Sequence, residues 1–146
     1  MVKIIEGNLF DSEAEIIAHQ VNCQQKMNSG VAKQIRQLYP SVYRDYIYRK
    51  PELGNTVIID VYSKRKIANL YAQDKYGYDG KRYTDYEALQ KCFDYLNEYA
   101  SKYGYTVAMP YKIGCDRGGA DWNIVYKIIE DSFTVDVELW RLNDEN

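Results

Sequence analysis

The stretch 109-MPYKIGCDRGGADWNIVYKIIEDSF-133 passes from a β-rich segment through two glycine clusters into apolar positions at helical spacing. Thr106 to Met109 reads as a strand, and Asp121 to Phe133 as a helix with an apolar stripe of Ile124, Ile128, Ile129 and Phe133. A tight glycine turn that joins strand to helix marks an α/β unit, in which the helix folds back over a sheet. The rest of the chain repeats that alternation. Val2 to Ile5 and the apolar run Glu15 to Asn22 (EIIAHQVN) read as strands, the second covered on both faces. A polar loop, Gln24 to Gly30, leads into a helix with Val31, Ile35 and Leu38 at helical spacing, ended by Pro40. Ser41 to Lys50 forms a second short helix or turn. Thr56 to Tyr62 and Ile67 to Ala72 are strand-like around the basic turn Ser63 to Lys66. A long helix begins near Thr84, whose hydroxyl is expected to cap it with Glu87 in the capping-box position; its buried stripe is Ala88, Leu89, Cys92, Phe93, Leu96 and Ala100. Val135 to Leu142 is the final strand. The alternation predicts an α/β sandwich on a largely parallel sheet.

At 146 residues the chain has the length of one domain, expected to span 1–146. Its 19 Lys and Arg against 21 Asp and Glu leave no basic excess to neutralise a nucleic-acid backbone. The three cysteines, Cys23, Cys92 and Cys115, lack CxxC or Cys/His spacing, so they read as reduced thiols in the cytoplasm with no zinc site. The opening MVKIIEGNLF is too short and too polar for a signal peptide or membrane span. The 16 tyrosines fall largely at helical packing positions.

In an open α/β sheet a ligand sits beyond the C-terminal strand ends, where loops lead into helix N-termini. Three loops qualify: Asn22 to Gly30, Gln73 to Tyr83 and Tyr111 to Asp121. The third carries Gly114, Gly118 and Gly119, which let backbone N–H groups converge on an anion, and a following helix N-terminus adds about 0.3–1 kcal/mol of favourable field. Neither GxxxxGK[ST] nor a clean GxGxxG is present, which disfavours an NTPase and a dinucleotide fold. The first loop, NCQQKMNSG, is of the same kind, with Asn28, Ser29 and Gly30 leading into its helix. Two such loops on neighbouring strands would grip a diphosphate from both sides and leave Asn22 for a sugar hydroxyl, the chemistry of a nucleotide diphosphate sugar. His19 reads as a hydrogen-bonded core residue, and Cys115 as a packing residue. Tyr76 to Gly80 forms either an aromatic lid or an ordinary turn.

"IIEGNLFDSEAEIIAHQVNCQQKMNSGVAKQI", "IANLYAQDKYGYDG" and "AMPYKIGCDRGGADWNIVYKII" together resemble the macrodomain family across nearly the whole chain. The likeness is nearest to the branch of terminal ADP-ribose protein glycohydrolase and ADP-ribose 1''-phosphate phosphatases. It implies a three-layer α/β/α sandwich on a mixed sheet of about six strands and an ADP-ribose ligand. Asn8 and Leu9 would meet the adenine, with Asn8 where the family often has aspartate. Met27, Asn28, Ser29, Gly30 and Val31 would wrap the distal ribose and diphosphate. Ile113, Gly114, Cys115, Asp116, Arg117, Gly118, Gly119 and Ala120 would close over the diphosphate. Asn22 and Gln73 would lie by the distal ribose. The glycohydrolase branch uses a lysine after the "IANLYA" strand and an aspartate in the second loop. Here those places hold Gln73 or Asp74, and Gly118, so that mechanism does not transfer intact. Asp74 is the carboxylate expected to activate water, with Asn22 fixing the ribose. Asp116 could orient water and Arg117 pair with a terminal phosphate, or the two could form an exposed ion pair. The expected activity is phosphate release from ADP-ribose 1''-phosphate. The alternatives are removal of ADP-ribose from protein or nucleic acid, and non-catalytic sensing of ADP-ribose or a cyclic relative. No metal or cofactor is expected, and the reading is of a monomer whose partner is the small-molecule ligand.

Overall fold

The computed structural model describes residues 1–142. Its strands are β1 (Val2–Glu6), β2 (Ile16–Asn22), β3 (Thr56–Asp60), β4 (Lys66–Gln73), β5 (Val107–Pro110) and β6 (Val137–Arg141). Its helices are α1 (Gly30–Leu38), α2 (Pro40–Tyr48), α3 (Tyr86–Tyr103) and α4 (Trp122–Ser132). The strands form one sheet in the order β1-β6-β5-β2-β4-β3. All neighbours are parallel except β3, which runs antiparallel to β4. Consequently β2 and β5, the strands that feed the two expected ligand loops, lie side by side.

The run EIIAHQVN is apolar in both phases because β2 is covered twice. Ile16 and Ala18 enter the core beneath α3 and α4, while Ile17 and Val21 enter the core beneath α1 and α2. β4 divides in the same way: Ala68, Leu70 and Ala72 face one layer, and Ile67 and Tyr71 the other. This alternation across a sheet with helices on both faces gives the three-layer sandwich. All six residues of the expected α3 stripe are buried. Two other helical stripes hold in part. Ile35 of α1 and Ile129 and Phe133 at α4 are buried as expected, but Leu38 is 53% exposed and Ile124 43%, and α4 buries Val125 in place of Ile124.

The start of α3 also differs from expectation. Thr84 pairs with Gln73 as an isolated β-bridge, so its backbone is still extended. Asp85 is the N-cap, its carboxylate accepting from Ala88 N at 3.0 Å, and the Thr84 hydroxyl donates to Gly114 O at 2.9 Å. No helix among the described residues is long and apolar enough to cross a membrane. Asp85→Ala is expected to cost about 1 kcal/mol in urea unfolding by freeing a capped N–H, and Asp85→Asn much less.

Candidate functional site

A cleft of about 1040 Å³ lies over the C-terminal ends of the strands. Because its walls follow the sheet order, it has two distinguishable ends. Gly7 to Phe10, after β1, and Trp140 to Leu142, at the end of β6, form one; Gln73 and Tyr76 to Tyr78, after β4, form the other. The two glycine loops face each other between them.

In the first loop, Asn22 is not free for a sugar. Its Oδ1 accepts from Gln24 N at 2.9 Å and lies 2.9 Å from the Tyr46 hydroxyl, and its Nδ2 donates to Lys26 O at 2.9 Å. The residue lines the cleft, but its polar atoms are engaged in folding the loop. Met27 is fully buried in the core under α1 and α2 and anchors the loop from below, outside the cleft lining. Asn28, Ser29, Gly30 and Val31 do line the cleft. Asn28 Oδ1 accepts from Arg36 Nη1 at 3.1 Å. Ser29 stands at the N-cap of α1 without capping it, and Gly30 holds the left-handed φ of 59° that starts the helix. The first N–H groups of α1 therefore open toward the cleft.

The second loop contributes Ile113 to Gly118 to the cleft, while Gly119 and Ala120 stand behind it. Ala120 packs into the core under α3 and α4, and Gly119 lies against the backbone of Lys81 and Arg82. A Cβ on Gly114 would come within 2.8 Å of Gln20 Oε1, and one on Gly118 would collide with Thr84 Oγ1. These glycines are thus required by contact with the protein itself. Asp121 caps α4, accepting from Asn123 N at 2.9 Å, so the expected field from that helix start is already met by a carboxylate. Burial pushes the Cys115 thiol up to about 11, which keeps it protonated and in its packing role.

What the two loops share is uncommitted backbone. Among the described residues, the N–H groups of Ser29, Gly30 and Val31 on one side find no acceptor in the protein. Those of Gly114, Asp116, Arg117 and Gly118 on the other side find none either. All seven belong to residues that line the cleft. Backbone N–H groups left free along a cleft are of the kind that bind anions.

The floor holds residues that the sequence does not mark as part of the site. His19 is buried with Nε2 2.6 Å from Asn69 Oδ1, which places the proton on Nε2 and leaves Nδ1 without a partner. Gln20 donates from Nε2 to Gln73 Oε1 at 2.7 Å and to Thr84 Oγ1 at 2.8 Å. A glutamine and a histidine inside the buried run EIIAHQVN were the available signal. Gln73 lines the cleft, but its carboxamide is held by Gln20 and by Lys75 O. Asp74, expected to activate water, is exposed outside the lining, with Oδ1 accepting from Gln24 Nε2 at 3.3 Å. It turns away because its backbone O pairs with Cys23 N at 2.9 Å, continuing the β2–β4 ladder. Asp116 is the one carboxylate among the described lining residues. At the β1 end, Asn8 Oδ1 accepts from Phe10 N at 2.9 Å, so the atom of Asn8 left for a ligand is its Nδ2 donor. Leu9, Phe10 and Trp140 give that end an apolar lining. Tyr83 N and Thr84 N both donate to Gly118 O, at 2.8 and 2.9 Å, which ties the chain just beyond the Tyr76 to Gly80 stretch to the second loop. No three His, Cys, Asp or Glu side chains among the described residues gather as a metal site.

Burial pushes His19 down to about 4, against 6.5 when free, a shift that its hydrogen bond to Asn69 only partly offsets. Between those values the unfolded chain binds more protons than the folded one, so stability falls as pH drops from about 6.5 toward 4, by about 3 kcal/mol in full. Urea unfolding at pH 7 and pH 4.5 should show this loss, and His19→Gln should flatten it. An unchanged slope in that variant would remove His19 as its origin.

The Macro domain family matches residues 18–129. The chain is 30% identical to an uncharacterized 17.5 kDa protein of Enterobacteria phage T4, covering 95% of this chain and 94% of that protein. It is 25% identical to a DNA ADP-ribosyl glycohydrolase of Thermus aquaticus over 96% of this chain, which spans 40% of that longer relative. Among solved structures, the macrodomain of Thermus aquaticus DarG superposes with a TM-score of 0.81 at 21% identity, over 97% of this chain and 98% of that one. Thermosipho africanus DarTG in complex with ADP-ribose superposes with a TM-score of 0.80 at 19% identity, over 99% of this chain and 42% of that one. With the family match over most of its length and the six-stranded sandwich to go with it, the chain belongs to the macrodomain family.

Proposed function

We propose that the cleft binds ADP-ribose, with the base at the β1 end, the diphosphate between the two glycine loops and the distal ribose at the β4 end. We further propose that the protein hydrolyses a derivative substituted at that ribose, with ADP-ribose 1''-phosphate as the leading substrate. The observation that carries the reading is the two facing rows of uncommitted N–H donors, from Ser29 to Val31 and from Gly114 to Gly118. Charge-assisted bonds from such rows suit the oxygens of a diphosphate, and the apolar lining of Leu9, Phe10 and Trp140 suits a purine face. The ADP-ribose bound to the Thermosipho africanus relative supports the same ligand.

The proposed reaction needs one water. It attacks the phosphorus, the bond from phosphorus to the C1'' oxygen breaks, and that oxygen leaves with a proton as the hydroxyl of ADP-ribose while inorganic phosphate departs. Asp116 is the carboxylate within the cleft to orient this water, and the N–H rows hold the substrate in line, so rate enhancement comes chiefly from positioning. A second reading is supported by the Thermus aquaticus relative, a DNA ADP-ribosyl glycohydrolase: the same cleft would hold ADP-ribose while water replaces the nucleic-acid group at C1'', giving ADP-ribose and the group released with a proton.

Calorimetric titration with ADP-ribose beside phosphate release from ADP-ribose 1''-phosphate tests both parts. Saturable binding below millimolar ligand is expected, and its absence would sink the reading. Binding without phosphate release would leave the second reading or a sensor. Asp74→Ala is expected to keep binding and turnover within about twofold, since its carboxylate lies outside the cleft. Asn8→Asp should tighten ADP-ribose about tenfold by offering the adenine amino group a charged acceptor in place of an Nδ2 donor; equal affinity in that variant would place the base elsewhere.

A further inference from the structure

Arg117 is one of three cations lining the cleft, with Lys26 and Lys112, that no salt bridge among the described residues claims, and the one held over the Tyr78 ring. Its guanidinium carbon stands 4.1 Å from the centroid of the Tyr78 ring, and both residues line the β4 end. Stacking uses the face of the guanidinium and leaves its N–H edge in plane, where it can bind two oxygens of one phosphate. The Tyr78 ring packs edge-on against Tyr76, centroids 6.4 Å apart, and a few residues further on the chain is tied to the second loop through Gly118 O, which accepts from Tyr83 N and Thr84 N. Holding the cation over the ring reduces the ordering cost of a long side chain on binding. Nearby acids do not claim it. Asp79 is held by the Tyr83 hydroxyl, 2.9 Å from Oδ1 and 3.0 Å from Oδ2, and no ion pair among the described residues joins Asp116 to Arg117.

We propose that Arg117, braced on Tyr78, is a specificity-determining residue: it forms a second anion subsite beyond the diphosphate and recognises a phosphate carried on, or next to, the substituent of the distal ribose. The inference rests on the placement of ADP-ribose given above. The phosphate has two possible sources with the same chemistry, a terminal phosphomonoester on C1'' and the phosphodiester backbone of an ADP-ribosylated nucleic acid.

Displacement of a fluorescent ADP-ribose, read by rapid mixing in the cold, separates these sources. The competitors are ADP-ribose, ADP-ribose 1''-phosphate and an ADP-ribosylated single-stranded oligonucleotide, each against the wild type, Arg117→Gln, Arg117→Lys and Tyr78→Ala. Arg117→Gln is expected to leave ADP-ribose within about twofold and weaken a phosphate-bearing ligand about tenfold. Arg117→Lys should restore only part of that loss, because a point charge neither stacks nor binds two oxygens. Tyr78→Ala should act in the same direction, more weakly. Loss confined to ADP-ribose 1''-phosphate assigns the subsite to a terminal phosphate, and loss confined to the oligonucleotide assigns it to a backbone phosphate. An equal shift for all three competitors, or none, overturns the proposal while leaving the ADP-ribose reading intact. Failure of ADP-ribose to displace the probe overturns both.

Discussion

The second glycine loop can lie flat on Gln20 and Thr84 only because positions 114 and 118 carry no side chain. That contact organises the whole cleft. Thr84 donates to Gly114 O and pairs with Gln73, and Gln20 joins Gln73 to Thr84, so β2, β4 and the loop after β5 meet at one point. From there Gly118 O holds the backbone at Tyr83 and Thr84. A methyl group at position 118 would push the loop off the sheet and open the closing side of the cleft. Glycine is demanded there by the protein's own packing, and the free N–H groups follow from it.

The two jaws reach a similar donor surface by different routes. The first uses the start of α1, left uncapped by Ser29 and turned by the left-handed Gly30, with Asn22 and buried Met27 fixing the loop beneath it. The second uses loop backbone alone, since Asp121 already caps α4. The helix field therefore acts from one side, and an anion between the loops would be held asymmetrically, closer in character to the first jaw. Asp116 and Arg117 are both exposed on the jaw whose backbone is pinned from below, Arg117 lying over the Tyr78 ring.

Much of the fold was legible because periodicity is local. The double apolar phase of EIIAHQVN announced a strand covered on both faces, and the α3 stripe follows from spacing alone. Leu38 and Ile124 lie at the edges of stripes whose central members, Ile35 and Ile129, are buried as expected; how wide a stripe a short helix buries is set by contact with the sheet. The Thr84 cap failed for a related reason. Thr and Asp are both good N-caps, and the choice fell to Asp85 because a bridge to Gln73, eleven residues earlier in the chain, keeps residue 84 extended.

By itself the sequence determined the layered α/β architecture, the presence of two strand-to-helix glycine loops and the family, carried by local periodicity and by motifs in order along the chain; that the loops lie side by side was decided by the β2–β5 pairing. Tertiary structure decided which polar atoms remain for a ligand. Asn22, Gln73 and Asn8 Oδ1 looked available and are engaged by Tyr46, Gln20 and Phe10, while Asp74 is drawn out of the cleft by its pairing with Cys23. The physical reason is that a polar group is available only when no partner satisfies it. For most of these groups the partner is brought close by the packing of helices and strands rather than by neighbourhood along the chain.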